Sequence, residues 1–427
     1  MKLNVINFYY KYIIIFVINL NKIIMTNISP SKGNSRVEVI DALRGFAILG
    51  ILLANIMSFS GFKFIPLDEI RSHPNFELDL LIYKLNAIFV DTKFYTIFSL
   101  LFGIGFYFQF NKNRDNQHDF MKIYYRRLIF LMIFGLIHMF FWSGDILFIY
   151  GITALVFVQF RNLNPKELLL IASISFVTPL FIDVIMLLVN PGYMVPTSKL
   201  ALKTYVDMAP SDIENTFATG SFVEMLQLNL HNLKWRWFDL LPSGRFFKVF
   251  AFFILGFYMM SSNYFQTKAF SKKLLLFYII FGLGLNFLAK FVFKSSMSLF
   301  PSDWGDILYK LLFSFGQVSL AFAYISILTI AYSSNLGKIL MVGLKYVGRM
   351  SFSSYLSHTI IGIILFYPYA FGLFKEFSLW QIELMAVGIY VLQVAFAKVW
   401  LKYFAFGPLE WLWRCLTYGK LFPIKKK

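Results

Sequence analysis

The segment Leu128–Phe160 reads LIFLMIFGLIHMFFWSGDILFIYGITALVFVQF. Two apolar runs, Leu128–Phe141 and Ile146–Phe160, flank a turn at Ser143–Gly144, and His138 and Asp145 are the only titratable acid–base groups near that turn. A closed helix satisfies its backbone donors and acceptors internally, which is what hydrocarbon demands of a chain inside it. The pair therefore reads as a helical hairpin in a membrane.

Working outward, Leu168–Leu188 reads LLLIASISFVTPLFIDVIMLL and reaches the roughly 20 residues needed to cross a bilayer core. Similar stretches lie at Phe46–Phe62 and Ile88–Phe108 before the hairpin. After it come Phe247–Met260, Leu274–Phe293, Leu308–Ile330, Phe352–Phe371 and Ile382–Trp400. The expectation is an all-α polytopic integral membrane protein with about ten transmembrane helices. Composition agrees. Of 427 residues, 58% are hydrophobic and 15% charged, whereas a soluble surface needs roughly twice that charged share.

Cys415 is the single cysteine, which excludes a disulfide framework within the chain. No HExxH or CxxC motif occurs, so no metal site is predicted. The net charge of +18 invites a nucleic-acid reading, but its placement points elsewhere. Basic clusters fall on alternate connections: Lys112 to Arg127, Arg161 with Lys166, Lys268 to Lys273, Lys338 to Arg349, and the tail Lys425–Lys427. That is the pattern of cytoplasmic loops. It predicts both termini in the cytoplasm, membrane lipids as surroundings and no nucleic-acid partner.

Residues 1–35 read as an N-terminal extension. The short run Tyr12–Leu20 precedes Met25, and either it forms an extra segment or the natural start is Met25, the reading preferred here. An N-terminal membrane region then covers 36–245 and ends in an outer-face connection, 190–245. A C-terminal membrane domain covers 246–420, and 421–427 form a basic tail. Within the connection, His231, Lys234, Trp235, Arg236, Trp237 and Asp239 suit an interfacial helix or a lid.

Polar residues at the ends of apolar helices are expensive unless partnered, so they are the candidate functional residues. Asp41 and Arg44 are three apart and able to pair, and Asn55 lies deep in the same span, where it either ties helices together or orients a substrate. His138, Trp142, Asp145 and Tyr150 gather at the hairpin. There His138 and Asp145 either form a general base with its orienting carboxylate or satisfy each other structurally. Asp91 can cap a helix and Lys93 can snorkel beside Ser99, while Gly103 and Gly105 allow close helix approach. Arg349, Ser354 and His358 open the ninth span. Arg349 either meets an anionic donor or marks the inner side. No glycine-rich phosphate loop is present.

Five separated motifs carry a family resemblance: RVEVIDALRGFAILGILLANIMS at Arg36–Ser58, KFYTIFSLLFGIG at Lys93–Gly105, GLIHMFFWSGDILFIYG at Gly135–Gly151, GRMSFSSYLSHTIIG at Gly348–Gly362 and FGPLEWLWRCLTYG at Phe406–Gly419. Together they resemble the YeiB-like bacterial membrane proteins, whose C-terminal half is a conserved domain of unknown function. The resemblance implies a multi-pass protein of the bacterial cytoplasmic (inner) membrane. It also looks distantly similar to the membrane acyltransferases that modify sugars and other polar acceptors. In many O-acyltransferases a histidine stands where this chain has Asn55, while the N-acetyltransferase branch has asparagine there. The implied function is transfer of an acyl group from a cytosolic donor, acyl-CoA, to a small-molecule or glycan acceptor near the outer face. No bound cofactor is implied. His138, Asp145 and Asn55 would then be catalytic, and Arg44, Asp41, Asp91, Arg349, His358 and Trp142 would contact substrate or donor. A transporter or exporter of a metabolite or lipid-linked precursor, or a non-catalytic scaffold, are the alternatives.

Overall fold

The computed structural model describes residues 38–65, 67–72, 74–190, 210–240, 243–262, 271–292 and 302–426. The expected extension 1–35, with its choice of start at Met25, lies outside the described residues, as do 191–209 and 241–242 of the expected outer connection.

Among the described residues the protein is all-α. In chain order the helices are α1 (Glu38–Phe59), α2 (Leu67–Ser72), α3 (Phe76–Phe89), α4 (Lys93–Lys112), α5 (Gln117–Phe141), α6 (Leu147–Phe157), α7 (Pro165–Val189), α8 (Pro210–Thr219), α9 (Phe222–Asp239), α10 (Arg245–Ser261) and α11 (Lys272–Val292). They continue with α12 (Ser302–Tyr332), α13 (Asn335–Leu340), α14 (Val342–Arg349), α15 (Ser351–Phe366), α16 (Leu379–Tyr403) and α17 (Pro408–Tyr418). Seven described helical stretches are long and apolar enough to cross a membrane, and α6 and α15 are shorter apolar helices. The protein is a polytopic membrane protein.

Helix α1 is the central post. Two thirds of its apolar window (67%) is buried inside the protein, against 17% for α11 at the periphery. Such contacts need small residues, because helices in lipid gain little from burying apolar surface and associate by close packing. A Cβ on Gly45 of α1 would lie 1.9 Å from the Leu344 carbonyl oxygen, and one on Gly348 would lie 1.8 Å from that of Asp41. Gly103 of α4 and Gly256 of α10 interlock in the same reciprocal way, facing the Phe253 and Leu100 carbonyls at 2.0 and 2.1 Å. The expected close approach at Gly103 is present. At Gly105 the neighbour is instead the Arg44 guanidinium, at 3.1 Å.

Two expected spans differ from the structure. Ile88–Phe108 is not one helix: α3 ends at Phe89, and Thr92 stands in the left-handed region (φ 68°) before α4 begins. The stretch Phe352–Phe371 stays helical only to Phe366, after which Tyr367 turns extended.

Candidate functional site

The GLIHMFFWSGDILFIYG motif begins and ends in glycine because α5 and α6 touch at both. A Cβ on Gly135 would sit 2.4 Å from the Phe148 nitrogen, and one on Gly151 would sit 2.3 Å from the Met132 side chain. This contact folds His138 back onto Asp145. His138 Nδ1 lies 2.7 Å from Asp145 Oδ1, while Asp145 Oδ2 accepts the Phe148 backbone N–H at 2.9 Å. On the other side of the ring, Nε2 lies 2.7 Å from the Thr359 hydroxyl of α15. All three residues are buried.

These contacts order the protons. Asp145 accepts at both oxygens, which places a proton on His138 Nδ1; in the neutral ring Nε2 then presents a lone pair, to which the Thr359 hydroxyl donates. The imidazole is walled by Trp142 and Tyr355, both edge-on, with ring centroids at 5.8 and 5.4 Å. Trp142 in turn packs on Phe59 at the end of α1. Helix α9 lies across the turn: Asn229 donates to the Phe141 carbonyl at 2.8 Å, and Trp237 meets Phe148 edge-on.

His358, one residue before Thr359, faces elsewhere. Its Nε2 lies 3.2 Å from Gln393 Oε1, and the Gln393 amide donates to the Ser354 carbonyl and the Ser357 hydroxyl. That pattern makes Nε2–H the donor and leaves His358 Nδ1 buried without a partner among the described residues. Asp41 and Arg44 pair at 3.2 Å as expected. Asn55 is half-buried on α1. Asp91 does not cap α4, whose first turn follows Thr92 with no side-chain cap. Lys93 does not snorkel either: it is fully buried and donates to the Ala87 carbonyl at 3.1 Å. Arg349 closes α14 beside α1. Arg127, in the basic stretch Lys112 to Arg127, has its guanidinium over the Trp413 ring at 3.8 Å, and the Trp413 indole donates to the Arg127 carbonyl.

Sequence reasoning missed Thr359, whose hydroxyl is ordinary for an apolar helix and has no local signature. It also missed the ion pair Lys310–Asp183, 2.5 Å between α12 and α7, and Lys248 beside it. The signal was available for these three, since charged residues inside apolar runs are rare. Among the described residues, no three His, Cys, Asp or Glu side chains converge as a metal site requires.

A buried His–Asp–Thr chain at the hairpin, inside a bundle of apolar helices, belongs to a polytopic α-helical membrane protein. Residues 259–420 match the family model described as protein of unknown function (DUF418). The chain is 29% identical to uncharacterized protein YxaH of Bacillus subtilis, covering 94% of this chain and 99% of that one. It is 28% identical to an uncharacterized 39.9 kDa protein of Bacillus acidopullulyticus, over 93% and 98% of the two chains. It is also 26% identical to uncharacterized protein YeiB of Escherichia coli, over 88% and 95%. Over most of its length the chain is thus similar to these uncharacterized bacterial proteins, and its C-terminal part matches the DUF418 model. No solved structure matches it.

Proposed function

We propose that this protein is a membrane acyltransferase of the bacterial inner membrane, with ten spans and both termini in the cytoplasm. It takes an acyl group from cytosolic acyl-CoA and passes it to a hydroxyl or amine acceptor near the outer face. The observation that carries this reading is the His138 imidazole held between Asp145 and the Thr359 hydroxyl. In the reaction the acceptor attacks the thioester carbonyl, its proton passes through the Thr359 hydroxyl to His138 Nε2, and the thiol of CoA leaves carrying a proton returned from the imidazolium. Asp145 stabilises the imidazolium and fixes its tautomer. Asn55 faces the acceptor from α1, with Trp142 and Asp91 contacting substrate around it. Arg44, Asp41 and Arg349 contact the donor at the opposite end of α1.

Transfer of radiolabelled acetyl or longer acyl groups from acyl-CoA tests the proposal. Purified protein in liposomes would receive lipid and sugar fractions from the native membrane. Label transfer that disappears in His138→Ala and Asp145→Asn is the expected result. No transfer from any acyl donor by folded protein would sink the enzyme reading. A transport reading, in which the chain exports a small metabolite or lipid-linked precursor, rests instead on the buried Lys310–Asp183 pair, since intramembrane ion pairs mark translocation paths.

A further inference from the structure

A second polar centre lies between α4, α7, α10 and α12. A cavity of about 30 Å³ opens there, lined by Thr92, Tyr95, Lys248, Phe252, Ser314 and Gln317, among others. That is room for about two waters or the end of one small polar group. Three independent features converge on it.

The first is Lys248. Its ammonium donates to the Ser314 hydroxyl at 3.1 Å and makes no ion pair among the described residues. The charged groups acting on it are Lys310, Arg245 and Asp183, two cations and one carboxylate. That carboxylate is already held by Lys310 at 2.5 Å, and Arg245 lies over the Tyr95 ring. The cavity therefore carries an excess of positive charge in a place where a cation without a counter-charge is costly.

The second is Gln317. Asn286 spends its amide N–H on the Gly282 carbonyl at 2.7 Å, so its oxygen accepts from Gln317 Nε2 at 3.0 Å. This fixes the orientation of the Gln317 amide and leaves Oε1 buried with no partner among the described residues. The third is Thr92, whose hydroxyl is likewise buried and unpartnered. Its backbone holds a left-handed φ of 68°, which a β-branched residue adopts only when its surroundings impose it.

We propose that this cavity is an anion site for a small oxyanion group, carboxylate or phosphate, that carries a hydroxyl or amine beside it. Two Lys248 N–H groups and the Thr92 hydroxyl donate to the oxyanion, and the neighbouring O–H or N–H donates to Gln317 Oε1. The combination matters. A bare anion would leave Gln317 unsatisfied, and a neutral polar group would leave Lys248 without a counter-charge. A glycerol-phosphate lipid headgroup and a free hydroxyalkyl phosphate share this chemistry.

Full-length protein in nanodiscs distinguishes the two sources. Glycerol 3-phosphate is the soluble probe, read by calorimetry and by the melting temperature. Phosphatidylglycerol against phosphatidylcholine is the lipid probe, read by native mass spectrometry. Saturable binding of glycerol 3-phosphate supports a soluble ligand, and retention of phosphatidylglycerol alone supports a headgroup. In either arm Lys248→Met should weaken binding about tenfold or more. Methionine keeps the stem and removes the buried charge, so this variant is expected to fold, and Thr92→Val gives a second loss. Ethyl phosphate should bind the wild type about tenfold more weakly than glycerol 3-phosphate, and Gln317→Leu should abolish that preference. Binding of neither probe by folded wild type, or equal binding by Lys248→Met, would overturn the proposal.

Discussion

His138 Nε2 meets the Thr359 hydroxyl at 2.7 Å, although 221 positions of chain separate the two residues. The contact joins the hairpin to α15 and makes Thr359 a relay rather than a bystander in the proposed chemistry. Thr359→Ser keeps the hydroxyl and should retain most acyl transfer. Thr359→Val keeps the shape and should lower the rate about 100-fold or more while leaving the melting temperature within a few degrees. Equal rates for the two variants would remove Thr359 from the mechanism.

Asp183 and Lys310 are buried together, with side chains 1% and 8% exposed. Breaking such a pair from one side leaves a lone charge and costs about 3–5 kcal/mol, whereas replacing both partners by apolar residues is often neutral. Asp183→Leu and Lys310→Met should each melt well below the wild type in detergent, and the double variant should recover most of the loss. Additive losses would show that the two charges do not depend on each other.

Gly103 sits where a Cβ would meet the Phe253 carbonyl at 2.0 Å, and backbone cannot swing aside. Gly103→Ala should therefore destabilise by about 1–3 kcal/mol through overpacking. The same change at Gly105, where the neighbour is the mobile end of Arg44 at 3.1 Å, should cost clearly less. Thermal unfolding of the two variants side by side checks the contrast.

Glu410 of α17 caps α15. One oxygen accepts from the Phe352 and Ser353 backbone N–H groups at 2.8 and 3.0 Å, and the other from the Ser353 hydroxyl at 2.5 Å. Losing the cap in Glu410→Ala should cost about 1–2 kcal/mol, and Glu410→Gln less.

Burial raises the pKa of Glu410 above its ordinary value, against the pull of its hydrogen bonds from Ser353 and Phe352. A carboxyl raised in the folded state contributes stability that is fully present below its unfolded pKa. That contribution is lost as pH rises through the folded value. From about pH 4 upward, the wild type should therefore lose stability relative to Glu410→Gln. Parallel melting curves across that range would assign the titration to another group.

The membrane class was legible in the chain alone, because hydrocarbon forces long apolar runs whatever the tertiary arrangement, and seven described helical stretches are long and apolar enough to cross a membrane, with two shorter apolar helices beside them, against about ten spans expected. So was local pairing. Asp41 with Arg44 and His138 with Asp145 are separated by three and seven positions, so one helix face or one tight turn brings them together. What sequence could not supply is which distant helix faces which. Thr359 with His138, Glu410 with Ser353 and Lys310 with Asp183 are 221, 57 and 127 positions apart. A polar residue inside an apolar run announces that it needs a partner but not where the partner is. The answer depends on how glycine-lined helices rotate and close against one another, and the tertiary structure alone decides that. The break at Thr92 was equally hidden, since its left-handed backbone (φ 68°) runs against the local preference of a β-branched residue.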